Sequence, residues 1–210
     1  MTGCPSPADA SKYTYEPIQD VGNIRVFCTH PGVGSVVECS IQEVSFAASP
    51  VFEALSYVWG EPTSSHYLQV RLTSESTAPN TLRITRSLYN ALRDLRDNDG
   101  QRCVWADAVC IDQSNATERE SQLQMMDKIY SRAAKVVTYI GEGSSDEVKS
   151  AVGLATALRR YSERFPDWQF PPDGRLYDQQ KMSELGFPVA SDPSWAALAD
   201  LMSRSWSSRV

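Results

Sequence analysis

A chain of 210 residues, 41% of them apolar and 10% aromatic, is long enough to bury its own core, which excludes a disordered or fibrous polypeptide. Its formal charge of −6, with arginines scattered rather than clustered, excludes a nucleic-acid binder that relies on a basic face. No apolar run approaches the roughly eighteen residues of a membrane span, and MTGCPSPADASKY has neither the basic start nor the apolar stretch of a secretory signal, so the expected location is the cytoplasm.

Residues 1–12 are small and polar and are expected to be disordered. NIRVFCTH and VVECSIQEV read as strands joined at PGVG into a β-hairpin. Gly32-x-Gly34 lacks the third glycine and the helix of a dinucleotide fingerprint. FEALSYVWG is the next strand, with Leu55, Tyr57 and Trp59 on one face, and Gly60-Glu61-Pro62 ends it. Tyr57 suits either the core or a pocket wall, whereas Trp59 beside Gly60 is placed to line a pocket with its ring. YLQVRLT and TLRIT add two short strands. RSLYNALRDLRD then sets Leu88, Ala91, Leu92 and Leu95 at helical spacing, and NDG closes that helix.

CVWADAVCIDQ, residues 103–113, is nearly continuously apolar, as in a central parallel strand covered on both faces. Alternation puts Trp105, Asp107, Val109 and Ile111 on one side. A buried Asp107 then needs an arginine or backbone N–H partners, unless the strand ends near it. Asp112 and Gln113 fall at the strand's carboxyl end, where open α/β sheets bind ligands. An Asp112 that only forms a turn is the equal alternative.

Thr117 with Glu120 matches a capping box and predicts a helix over 118–134. Glu118, Gln122, Met125 or Met126, Ile129 and Ala133 share one face of it. The stripe facing the sheet thus ends in two polar residues aimed at the crevice of Asp112. The other reading of Glu118 is a charge that suits the positive end of the helix. KVVTYIG reads as a buried strand and 145–163 as an amphipathic helix. This order predicts an α/β fold with an open, mostly parallel sheet flanked by helices, in one domain over 13–210. Residues 164–193 carry five prolines and form a long insertion before SWAALADLMSRSW returns to helical spacing.

Five cysteines, an odd number without CxxC or His-rich spacing, predict buried reduced thiols and no metal. The candidate ligand-binding set is Tyr57, Trp59, Gly60, Asp107, Asp112, Gln113 and Gln122, and the candidate catalytic residue is Glu118.

FEALSYVWGE, VWADAVCIDQSNATERESQLQMMDKIYSRAAKVVTYIG and the spacing between them resemble the HET domain of fungal heterokaryon incompatibility proteins. The likeness runs from YTYEPI to about residue 142, with Asp112 where that family more often has Asn. It implies a fungal signalling module that promotes regulated cell death in self/non-self recognition, through self-association or partner contact, and a TIR-like fold. Some TIR-like domains cleave NAD, so the resemblance carries an alternative. In it NAD is a substrate, no cofactor is required, Glu118 supplies the carboxylate and Trp59 the wall for nicotinamide. The family's third block begins at Arg204, Trp206 and Arg209 and stops with the chain, before its Gln-Glu pair.

Overall fold

The computed structural model describes residues 11–61, 65–72, 79–143, 145–165 and 179–204. Expectations for residues 1–10, for 166–178 of the insertion and for Trp206 and Arg209 lie outside the described residues. Among the described residues the strands are β1 (Asn23–Thr29), β2 (Glu38–Ser45), β3 (Glu53–Tyr57), β4 (His66–Val70), β5 (Asn80–Ile84), β6 (Arg102–Trp105) and β7 (Lys135–Tyr139). They form one open sheet in the order β5-β4-β2-β1-β6-β3-β7. The α/β class and the N-terminal hairpin are borne out, with Asn23 opposite Ser45 and Thr29 opposite Cys39. β2 runs parallel to β4, and β3 runs parallel to both β6 and β7. The other neighbouring pairs are antiparallel.

β1 lies in the interior of the sheet, and its apolar run suits burial on both faces: Ile24 to Cys28 are each at most 4% exposed. Helix α1 (Arg86–Leu95) is capped by Thr85, whose hydroxyl accepts the Leu88 N–H, and it buries Leu88, Ala91 and Leu92. Trp105 meets Tyr130 edge to face at 5.7 Å within the same core.

The stretch 103–113 is not one strand. β6 stops at Trp105, and Asp107–Cys110 makes a single helical turn, α2, closed by Cys110 N–H to Ala106 O at 2.8 Å. A straight strand would place the Asp107 carboxylate on the face of Trp105 and Val109. The turn instead buries Val109, Cys110 and Ile111 while leaving Asp107 half-buried, which avoids the desolvation of a charged group.

The helix expected over 118–134 is two, α3 (Ala116–Gln124) and α4 (Met126–Arg132), broken at Met125. Its cap is Asn115, whose side chain accepts the Glu118 N–H at 3.1 Å, so the helix starts two residues ahead of the expected cap Thr117. The contact is an N-cap without the reciprocal half of a box, because the Asn115 N–H goes to Asp112 O and the Glu118 carboxylate to Arg25 and the Asp112 N–H; Asn is at least as good a cap as Thr. β7 is an edge strand with Val136 47% exposed, not a buried one, because β3 is its single neighbour in the sheet.

Cys28 and Cys103 face each other across β1 and β6 and are joined in a disulfide. The expectation of reduced thiols therefore fails for this pair, whose 75-residue separation leaves no local spacing to read. It holds for Cys39 and Cys110, which are free and buried.

Residues 11–139 make up the described part of one compact unit, which contains the whole sheet, and a second begins at Ile140. The second contains α5 (Ser145–Arg164), α6 (Gln179–Glu184) and α7 (Pro193–Ser203). Within it Ala151, Leu154 and Met182 are buried and Tyr161 meets the Phe187 ring at 5.2 Å. Arg204 pairs with Asp200 at 2.8 Å and donates to the carbonyls of Ile140 and Glu142. No helix of the described residues is long and apolar enough to cross a membrane.

Candidate functional site

A cleft of about 480 Å³ opens in the first unit where four chain segments approach one another. Residues 12–15, Trp59 just past β3, the end of β5 with Thr85, and the loop 112–114 between α2 and α3 form its walls. Tyr13 and Tyr15 stack edge to face at 5.0 Å on one wall, and the Tyr15 hydroxyl donates to Val109 O at 2.9 Å. Burial pushes the pKa of both phenols upward, so they act as neutral donors and apolar surface.

Asp107 is the brace of this site. Its carboxylate accepts Trp59 Nε1–H at 3.0 Å, the Tyr57 hydroxyl at 3.2 Å and the Ala108 N–H at 2.8 Å. The short turn of α2 thus fixes the indole ring that walls the cleft. Gly60 follows with φ of +70°, a left-handed conformation that favours glycine, and a Cβ there would meet Ser87 Cβ at 3.4 Å. Gln113 donates from Nε2 to Asp107 O at 2.8 Å, tying the loop to the same turn. Asp112 combines both readings drawn from its position. It forms a turn, accepting Ser114 N–H at 3.0 Å and Ser114 Oγ–H at 2.6 Å, and it also lines the cleft.

Glu118 is engaged elsewhere. Its carboxylate forms a two-pronged ion pair with Arg25, in which Nη2 lies at 3.0 Å, and accepts the Asp112 N–H at 2.8 Å. The two side chains are only 4% and 8% exposed, and Arg25 also donates to the carbonyls of Cys110 and Glu16. Burial alone would lower the Arg25 pKa, but the hydrogen bond and charge of Glu118 outweigh it and raise the value. The pair clamps β1, the end of α2 and the cleft loop together. Gln122 is buried and donates to Asn23 O at 2.9 Å at the start of β1, away from the cleft lining.

The structure therefore puts Trp59, Asp112 and Gln113 in the lining, Asp107 and the buried Tyr57 behind Trp59 with Gly60 adjacent, and Glu118 and Gln122 outside the lining. Sequence reading missed Lys12, Tyr13, Tyr15 and Arg83 on the walls, and Arg25 beneath them. Arg25 did carry a signal, because a cation within the apolar run NIRVFCT requires a buried anion. Lys12 and Arg83 make no ion pair with any described residue, so the cleft carries two cations from separate segments as well as Asp112. Among the described residues no three His, Cys, Asp or Glu side chains gather as a metal site.

The family model described as heterokaryon incompatibility protein (HET) matches residues 52–210. The chain is 31% identical over 153 residues to "Heterokaryon incompatibility protein 6, OR allele" of Neurospora crassa, covering 69% of this chain and 22% of that protein. It is 29% identical over 101 residues to "Vegetative incompatibility protein HET-E-1" of Podospora anserina, covering 47% of this chain and 7% of that protein. The chain thus spans about a fifth of the first relative's length and under a tenth of the second's. No solved structure matches it.

Proposed function

The chain belongs to the heterokaryon incompatibility (HET) family, and from that premise we propose that it serves fungal self/non-self recognition as a cytoplasmic signalling module. In this reading it promotes regulated cell death by contacting a partner or a second copy. The family match over residues 52–210 carries the reading. The cleft supports the element of contact, because Asp107 holds Trp59 as a fixed aromatic wall in the same cleft as Lys12 and Arg83, which form no ion pair with a described residue, an arrangement suited to binding. The alternative, NAD cleavage, asks for a carboxylate free to face a ribose. Glu118 is instead held by Arg25 and the Asp112 N–H, which favours contact over catalysis by that residue.

Inducible expression of the chain in a filamentous fungus, scored by uptake of a membrane-impermeant dye, tests this. Wild type is expected to kill, and Trp59→Ala at equal protein abundance is expected to spare cells. Purified protein incubated with NAD is expected to release no nicotinamide. Undiminished killing by Trp59→Ala removes the cleft from the signalling reading, and nicotinamide release above a heat-inactivated control transfers support to the enzyme.

A further inference from the structure

β5 is an outermost strand of the sheet, and among the described residues only part of its free edge is covered. Thr81 donates to Ser11 O at 2.8 Å and accepts the Tyr13 N–H at 2.8 Å, so residues 11–13 run alongside as a short parallel extension. Both ladder groups of Thr81 therefore point outward, away from its β4 neighbour Gln69. By the alternation of antiparallel pairs, the next residue to do so is Arg83, opposite Tyr67. The N-terminal segment has left the edge by then, since Tyr15 reaches across to Val109 O. The gap between this segment and the edge is the cleft, and no described residue takes up the main-chain N–H or C=O of Arg83. The Arg83 guanidinium lies 5.6 Å from the Tyr67 ring centroid, and Lys12 lines the same cleft.

We propose that this cleft is a peptide groove in which an extended acidic segment of a partner protein adds to β5 at Arg83, continuing the ladder that residues 11–13 begin. Main-chain bonds to Arg83 set the register. Acidic side chains meet Lys12 and Arg83, and the alternating apolar side chains meet Tyr13, Tyr15 and Trp59. The inference rests on the partner-contact reading and names the chemistry of that partner.

The probe is a fluorescein-labelled, end-capped octapeptide of alternating glutamate and valine, titrated with the whole chain and read by anisotropy. Saturable binding below about 1 mM is expected. The lysine–valine counterpart, and a glutamate–valine peptide N-methylated at alternate residues in either register, are each expected to bind roughly tenfold more weakly or worse. Arg83→Pro removes the outward N–H without touching the β4 ladder and should weaken binding by a similar factor, as should Lys12→Glu. Absence of saturable binding, or equal binding of the basic or both N-methylated peptides, overturns the proposal, and the peptide comparisons decide it even where Arg83→Pro misfolds. Loss of the groove with Trp59-dependent killing retained removes this inference alone. A peptide that binds while Trp59→Ala still kills removes the cleft's signalling role alone.

Discussion

Arg25 and Glu118 depend on each other because neither has enough water around it to remain charged alone. Glu118→Ala is expected to lower the unfolding free energy by about 3–5 kcal/mol, a loss read in urea denaturation that would precede any effect on function. Any functional test at this position therefore needs a folding control. Asp107→Ala removes the acceptor for Tyr57 and Trp59 and is expected to cost about 1–3 kcal/mol. Asp112→Ala loses only a solvent-accessible turn and is expected to cost under about 1 kcal/mol, so coincident urea midpoints for the two variants would contradict the bracing role of Asp107. Cys39 gives a pH dependence. Burial pushes its thiol from the ordinary 9.0 up to about 12, so the unfolded chain loses this proton first. The stability it supports is full below pH 9.0 and falls as pH rises toward about 12. Cys39→Ala is expected to flatten that alkaline decline in urea midpoints measured on either side of pH 9.0.

At the scale of elements, α3 offers the sharpest comparison. Asn115→Ala is expected to cost about 1 kcal/mol, whereas Thr117→Ala, inside the helix, is expected to leave stability unchanged or raise it by a few tenths of a kcal/mol, by thermal or urea unfolding. The sequence was read with Thr117 as the cap, and the short polar stretch SNATERE did not disclose that Asn115 takes that place. The tertiary engagement of Glu118 with Arg25, 93 residues away, is consistent with the Asn115 register. Strand and helix periods disclosed the hairpin, β3 to β5 and α1, because each of these follows from a repeat a few residues long, whereas the nearness of Trp59 to Asp112 and Gln113 was expected from the ligand crevice of open sheets and not from any local repeat. The helical turn at Asp107 was not legible, since DAVC has the apolar content of either state and only the cost of a buried carboxylate decides between them. The edge position of β7 was hidden for a similar reason. Apolar β-branched residues report a strand, but not how many neighbours it has.

For the whole molecule, the Cys28–Cys103 bond ties the hairpin to β6 across a separation of 75 residues. Closing a loop of that length restricts the unfolded chain by roughly 4 kcal/mol, so reduction is expected to lower the denaturant midpoint clearly, and Cys28→Ala with Cys103→Ala should reproduce the reduced value. The order of the strands bears equally on where this domain begins. The family model matches from residue 52, yet β1 and β2, both earlier in the chain, stand between β4 and β6. A gene fragment trimmed to the matching residues would leave β5-β4 and β6-β3-β7 as two torn halves with raw inner margins, and such a product is expected to precipitate. Crossover points for hybrid alleles therefore belong ahead of Tyr13, not at residue 52.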